Sequence, residues 1–312
     1  MEINELISLI PRWQILLAAG IFGALWGSFA NVVIVRWPME LSVVRPGSHC
    51  LSCKTPIHWY DNIPVLSFFI LRGKCRHCGA RFSFRYAAVE LMLGLLSVGV
   101  AQVTLPQSGD FLFGLAAYFV WFAFVWALVT VAMIDLVHYL IPDVIVLPGI
   151  VVGILANTFI LRLGLLEPVI AAGAAFAVIR LLFIDGYRLI TGRPGMGAGD
   201  AKLLAMFGAF LGYEGVLFAL FAGALQGAFV GAVMVVVRRR DGELNEPIFE
   251  EELEETEDDD NVVPDSRFRK ARVPFGPFLA LGALEYIFVG EYLLRAYSLA
   301  LGHFMYNVQN LF

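Results

Sequence analysis

The chain has 312 residues, 59% of them hydrophobic and only 16% charged, with a mean hydropathy of +0.75. A soluble core cannot absorb that much apolar surface, so a soluble globular enzyme is excluded and an all-α polytopic membrane protein is expected. The net charge of −5 comes from one stretch, residues 241–260, which hold twelve acidic residues and no basic one.

The first apolar stretch is long enough to span and lacks a basic leader region, so it reads as a retained helix and not as a cleaved signal. This first span covers about 15–35. Ser28 and Asn31 lie in it at i, i+3, on one side of a helix, as small polar residues that bond between membrane helices do. Arg36, Trp37 and Pro38 mark an interface, where a cation and an aromatic ring anchor a helix end.

The loop over 38–84 is the only region resembling a small soluble domain. It carries Cys50-Leu-Ser-Cys53 and Cys75-Arg-His-Cys78, separated by 21 residues. Two such knuckles place four thiolates for tetrahedral Zn2+, at a spacing just beyond the usual zinc-ribbon range. So small a segment has little core of its own, and a metal staple answers that need. Disulfides are the competing reading, and His49, His58 and His77 are substitute ligands.

Seven further spans are expected, at about 86–105, 111–134, 144–163, 168–189, 201–211, 215–237 and 275–296. The run 201–237 is too long for one helix, and Gly212-Tyr-Glu-Gly215 is the natural turn within it. About eight transmembrane helices put both termini on one side. Loops after spans one, five and seven carry eighteen Lys/Arg, against three on the other side. By the positive-inside rule both termini face out and the cysteine loop is cytosolic, which keeps its thiols reduced and free for metal. The like-charge block 241–260 is expected to be solvated and disordered.

Two carboxylates stand out. Asp135 ends the third span, where the helix dipole is negative and an aspartate is disfavoured, so capping does not explain it. Asp200 follows the glycines at 195, 197 and 199 and starts the sixth span; an ionisable group there is either an N-cap or functional. On this topology the pair reaches one cytosolic membrane depth. Two carboxylates in close approach share a proton, one acting as general base on water and the other polarising a scissile carbonyl. Asp143 is the reserve for Asp135, or a cap for the fourth span. Glu90, about one turn into the second span beside the cysteine loop, is a buried carboxylate that needs a reason, against the plainer reading of a buried interhelical hydrogen bond.

These residues carry a resemblance. Gly27-Ser-Phe-Ala-Asn-Val-Val-Ile-Val-Arg-Trp-Pro38, Cys50–Cys53, Asp61-Asn-Ile-Pro-Val-Leu-Ser67 and Leu71-Arg-Gly-Lys-Cys-Arg-His-Cys-Gly79 match the first half of the type IV prepilin peptidases. Ile134-Asp-Leu136, Ile141-Pro-Asp143, Gly197-Ala-Gly-Asp-Ala-Lys-Leu203 and Pro274-Phe-Gly-Pro-Phe278 match the second. The chain thus resembles the bifunctional leader peptidases and N-methyltransferases of type IV pili and type II secretion. The resemblance implies that Asp135 and Asp200 are an aspartic dyad of the GxGD type. It also implies prepilin and pseudopilin substrates with basic leaders, S-adenosyl-L-methionine as methyl donor with Glu90 as the candidate for methyl transfer or for binding the new α-amino group, and a bacterial inner-membrane location with the active site facing the cytosol. Lipid is a further partner, and no nucleic acid is expected. Ala87 stands where the family commonly has proline, and the acidic insert has no counterpart.

The chain then divides into a first transmembrane helix (1–36), a zinc-binding domain (37–85), a transmembrane peptidase core (86–237), the acidic insert (238–273) and a last helix with the C-terminus (274–312). Two alternatives remain. One is a peptidase whose zinc loop is purely structural and never methylates. The other is a transporter whose intramembrane Glu90, Arg180, Asp185, Glu285 and Glu291 form an ion pathway, against which stand the lack of an inverted repeat and two carboxylates at one face.

Overall fold

The computed structural model describes residues 10–105, 110–161, 164–192, 195–241, 274–290 and 292–293. The acidic run from 242 onward, expected to be disordered, and the C-terminal residues after 293 lie outside the described residues. The helices are α1 (Arg12–Arg36), α2 (Leu66–Ile70), α3 (Phe84–Thr104), α4 (Phe111–His138), α5 (Asp143–Ala156), α6 (Leu166–Val178), α7 (Tyr187–Thr191), α8 (Ala198–Asp241) and α9 (Gly276–Glu285). Wider π turns extend α5, α6 and α9 over Asn157–Leu161, Ile179–Gly186 and Tyr286–Gly290. Among the described residues there is no strand, as befits segments that must satisfy their own backbone polar groups in hydrocarbon.

Helix starts follow local chemistry. Ser83 Oγ accepts the Arg85 N–H before α3, and Asp110 Oδ1 accepts the Leu112 N–H at 3.0 Å before α4. α4 is the central post. Its Tyr118, Phe122, Val125 and Val129 pack with α1 and α3, while Phe124, Leu128 and Val131 pack with the first part of α8. Phe124 and Phe210 stack with centroids 4.2 Å apart.

Six helical stretches among the described residues are long and apolar enough to cross a membrane: Arg12–Met39, Phe84–Thr104, Phe111–His138, Asp143–Leu161, Leu166–Thr191 and Ala198–Met234. This differs from the expected eight in two places. Gly276–Gly290 is apolar but shorter than a span. The other place is α8, whose continuous ladder is interrupted at Gly212, with φ 69° and ψ −169°, a conformation open essentially to glycine alone.

The two arms of α8 run in opposite senses. Before the break, Gly199 meets Ile141 and Gly153 meets Phe210, so this arm runs alongside α5. After it, Gly282 meets Ala219 and Gly223 meets the backbone at Phe278–Leu279, so the chain returns along α9. The break leaves helix-end carbonyls without partners inside an apolar bundle. Asn157 Nδ2 donates to two of them, Ala209 O at 2.7 Å and Phe210 O at 3.1 Å. Both arms therefore come back to the end of the bundle where α4 finishes.

Candidate active site

α4 ends with Tyr139 in the left-handed region, its N–H bonded to Asp135 O at 3.0 Å. Asp135 lies one turn earlier and is only 6% exposed. A carboxylate at a helix C-terminus is unfavourable, and the structure shows what offsets it. The Gly276 N–H, in the first turn of α9, donates to Asp135 Oδ2 at 3.0 Å, so the aspartate faces the positive end of another helix. A Cβ at 276 would lie 2.5 Å from that oxygen, so the close approach requires glycine.

Asp200 is in the first turn of α8 and 8% exposed. Its Oδ2 accepts the Gly197 N–H at 3.2 Å, the reach-back half of a capping box. It therefore does cap its helix, and it also lies near enough to Asp135 for their charges to interact directly. Asp200 lines an open cavity of about 590 Å³ with Trp37, Tyr139, Ile141, Asp143 and Lys202; Asp135, bonded to the Gly276 N–H, is not among its lining residues.

Asp143, the reserve for Asp135, lines the same cavity as Asp200, and its side chain does not cap α5. It stands in the first turn of α5, half exposed, and pairs with Lys202 Nζ at 2.7 Å across the cavity.

In the 38–84 loop the four Sγ atoms of Cys50, Cys53, Cys75 and Cys78 all lie within 4.8 Å of one another, and no disulfide links them. The Cys50–Cys78 separation of 3.8 Å equals the edge of a tetrahedron with zinc–sulfur bonds of about 2.3 Å, so the donor set fits Zn2+. The two knuckles repeat each other. Cys50 N–H bonds Thr55 O as Cys75 N–H bonds Ala80 O, and the bridge His49–Pro56 is matched by Lys74–Arg81. Thr55, through its hydroxyl and then its backbone N–H, holds the Cys53 thiol down to about 6, which favours the thiolate a metal needs. Arg76 clamps Asp61 and keeps that carboxyl below its ordinary value. The histidines are elsewhere: His49 Nδ1 bonds Gly47 O and His58 stacks on Tyr60.

Glu90 joins this loop to the bundle. Its Oε2 accepts the Val65 N–H at 2.7 Å. Asn31 donates to Tyr86 O at 2.9 Å, so this polar residue of the first span serves the α1–α3 contact. Of the charges a transporter would need, Arg180 pairs with Asp185 and Glu285 accepts from Gln226, while Glu291 lies outside the described residues.

Residues 21–104 match the bacterial peptidase A24 N-terminal domain, and residues 122–232 match the type IV leader peptidase family. A prepilin leader peptidase/N-methyltransferase of Myxococcus xanthus is 32% identical over 88% of this chain and 90% of its own. Proteins of the same name from Aeromonas hydrophila, 33% identical over 89% and 91%, and Legionella pneumophila, 30% identical over 95% and 98%, are also similar. No solved structure matches.

The chain belongs to the type IV leader peptidase family. Both aspartates fall in the stretch matching the leader peptidase family, and the four cysteines and Glu90 fall in the N-terminal match. The sequence reading missed three contributors to the site of this leader peptidase: Gly276 as a donor to Asp135, Lys202 as the partner of Asp143, and Trp37 as a cavity wall. Only the Lys at Asp200 plus two carried a local signal, since i, i+2 side chains diverge and Lys202 had to face some other element.

Proposed function

We propose that Asp135 and Asp200 are the catalytic pair of an endopeptidase that removes the basic leader from type IV prepilins and pseudopilins. The observation that carries this reading is two buried aspartates, 65 residues apart in sequence, within electrostatic range of each other, one of them lining an open cavity. A substrate strand lying in that cavity reaches Asp200 first. The two carboxylates share one proton. The ionised member takes a proton from water as it attacks, and the protonated member donates a hydrogen bond to the scissile carbonyl oxygen. The backbone N–H groups of Gly276 and Gly197 hold the two carboxylates in place for this exchange. The active site faces the cytosol of a bacterial inner membrane, with both termini periplasmic, as the distribution of basic residues requires.

The same chain N-methylates the new N-terminal residue. S-adenosyl-L-methionine supplies the methyl group when bound. Cys50, Cys53, Cys75 and Cys78 hold one Zn2+, a closed four-sulfur site that staples the loop and leaves no open coordination position. Glu90 serves methyl transfer by seating this loop on the bundle through Val65. The purified chain incubated with a prepilin and the methyl donor should show, by mass spectrometry, leader loss together with the mass of one added methyl group. Leader loss without methylation at any donor concentration would leave a peptidase with a purely structural zinc loop. Glu90→Gln, which keeps an acceptor for Val65, should methylate; Glu90→Ala should not, and both should cleave.

A further inference from the structure

The four-cysteine loop is hydrogen-bonded to α3 well inside that helix and not at its end. α3 has 21 residues, about 31 Å of helix, which matches the hydrocarbon thickness of a bilayer and sets Phe84 at its edge. Glu90 lies six residues further along, about 9 Å below that edge. Its carboxylate accepts the N–H of Val65, so the loop is drawn down beside the membrane-spanning part of α3. The contact is firmly set. Val65 is a β-branched residue at φ 63° and ψ −52°, and Leu66 N–H bonds Pro64 O at 2.6 Å, closing a tight γ-turn around it.

From this anchor α2 runs outward. Ser67 turns inward, its hydroxyl accepting the Ile63 N–H and donating to Tyr60 O. Leu66, Phe69 and Ile70, at i, i+3 and i+4, turn outward, and each is more than half exposed, as is Phe84. Phe68 bridges the two elements, with ring centroids 5.7 Å from Phe69 and 5.6 Å from Phe84. The outward face of α2 is thereby continuous with the lipid-facing start of α3. Arg72, Lys74 and Arg81 follow in the same loop, and residues 36–86 hold eight basic residues against two acidic ones.

We infer that α2 is an interfacial helix: its Leu66, Phe69 and Ile70 face is embedded at the headgroup–acyl boundary of the bilayer, with the basic residues after it against anionic headgroups. A contiguous exposed apolar face marks a membrane or partner contact, and immersion of about 5–10 Å with cations at the rim is the geometry of helices that lie in an interface. The partner is the lipid surface, because the Glu90–Val65 bond holds this face at lipid depth whether or not a substrate is present.

The test uses the full-length chain in vesicles of phosphatidylcholine and phosphatidylglycerol, with a photoreactive benzophenone side chain at position 70 and, in a second protein, at position 51 in the first cysteine knuckle. Zinc content checks that each protein is folded. Irradiation should give lipid adducts at position 70 severalfold above those at 51. Adducts from position 70 to residues 242–273 of the chain, or to an added prepilin in place of lipid, would assign the face to a protein partner and overturn the inference. Equal low lipid yield at both positions would overturn it as well.

Discussion

The aspartate end of the bundle and the four-cysteine loop are assembled in opposite ways. The four thiols come from 29 consecutive residues, in two knuckles that repeat the same backbone hydrogen bonds, and the loop's own turns bring them together. The aspartate site draws on the end of α4, the start of α8 and the start of α9, with Asp135 bonded to a backbone N–H 141 residues away. A site built from local turns tolerates changes elsewhere in the chain. A site built from helix ends depends on three helices keeping their depth and rotation, so small changes at their contacts propagate to it.

The largest test of this contrast is direct. Asp135→Asn and Asp200→Asn should each lower prepilin cleavage by several orders of magnitude, because removing either member of a shared-proton pair removes the base or the acid. Zinc content should be unchanged in both. If Asp135→Asn cleaves near normally and Asp143→Asn does not, the assignment moves to Asp143. Next comes a change in the support of one aspartate. Gly276→Val places a side chain against Asp135 Oδ2 and should reduce kcat by about 10²-fold, the scale of a misplacement of about 1 Å, again with zinc retained.

The loop should respond in reverse. Cys50→Ser should abolish stoichiometric zinc and render the loop protease-sensitive, because site and local fold form together. Cleavage should fall far less than in either aspartate variant; equal losses would show that the two regions are one cooperative unit. Elemental analysis finding no zinc in native protein purified without chelators would remove the staple altogether. Smaller still, Lys202→Met breaks a partly exposed ion pair worth about 1 kcal/mol or less, so kcat/KM should stay within about fivefold. The smallest effect is expected from deleting residues 243–260. Exposed charges are screened beyond about 8 Å at physiological ionic strength, so turnover at saturating substrate should not change, and half-saturation should rise only at low salt.

Local pattern was enough for the membrane character, the two knuckles, the break near Gly212 and the identity of both aspartates as residues needing a reason. Each rests on short-range physics: apolar runs of span length, thiol spacing, a glycine-bounded turn, a carboxylate at the wrong end of a helix dipole. Helix ends were legible within a few residues for the same reason. What lies between helices was not. Nothing in the sequence pairs Asp143 with Lys202 or Glu90 with the Val65 N–H. Gly276 looked like part of a motif with no role. Its place opposite Asp135 depends on how α9 packs against α4 and on the return of α8 at Gly212. An apolar helix surface carries little information about which neighbour it meets, since in hydrocarbon every face is equally oily and close packing of small residues selects the partner. The residue types that can do chemistry were therefore written in the sequence, and only the tertiary structure decided which of them meet.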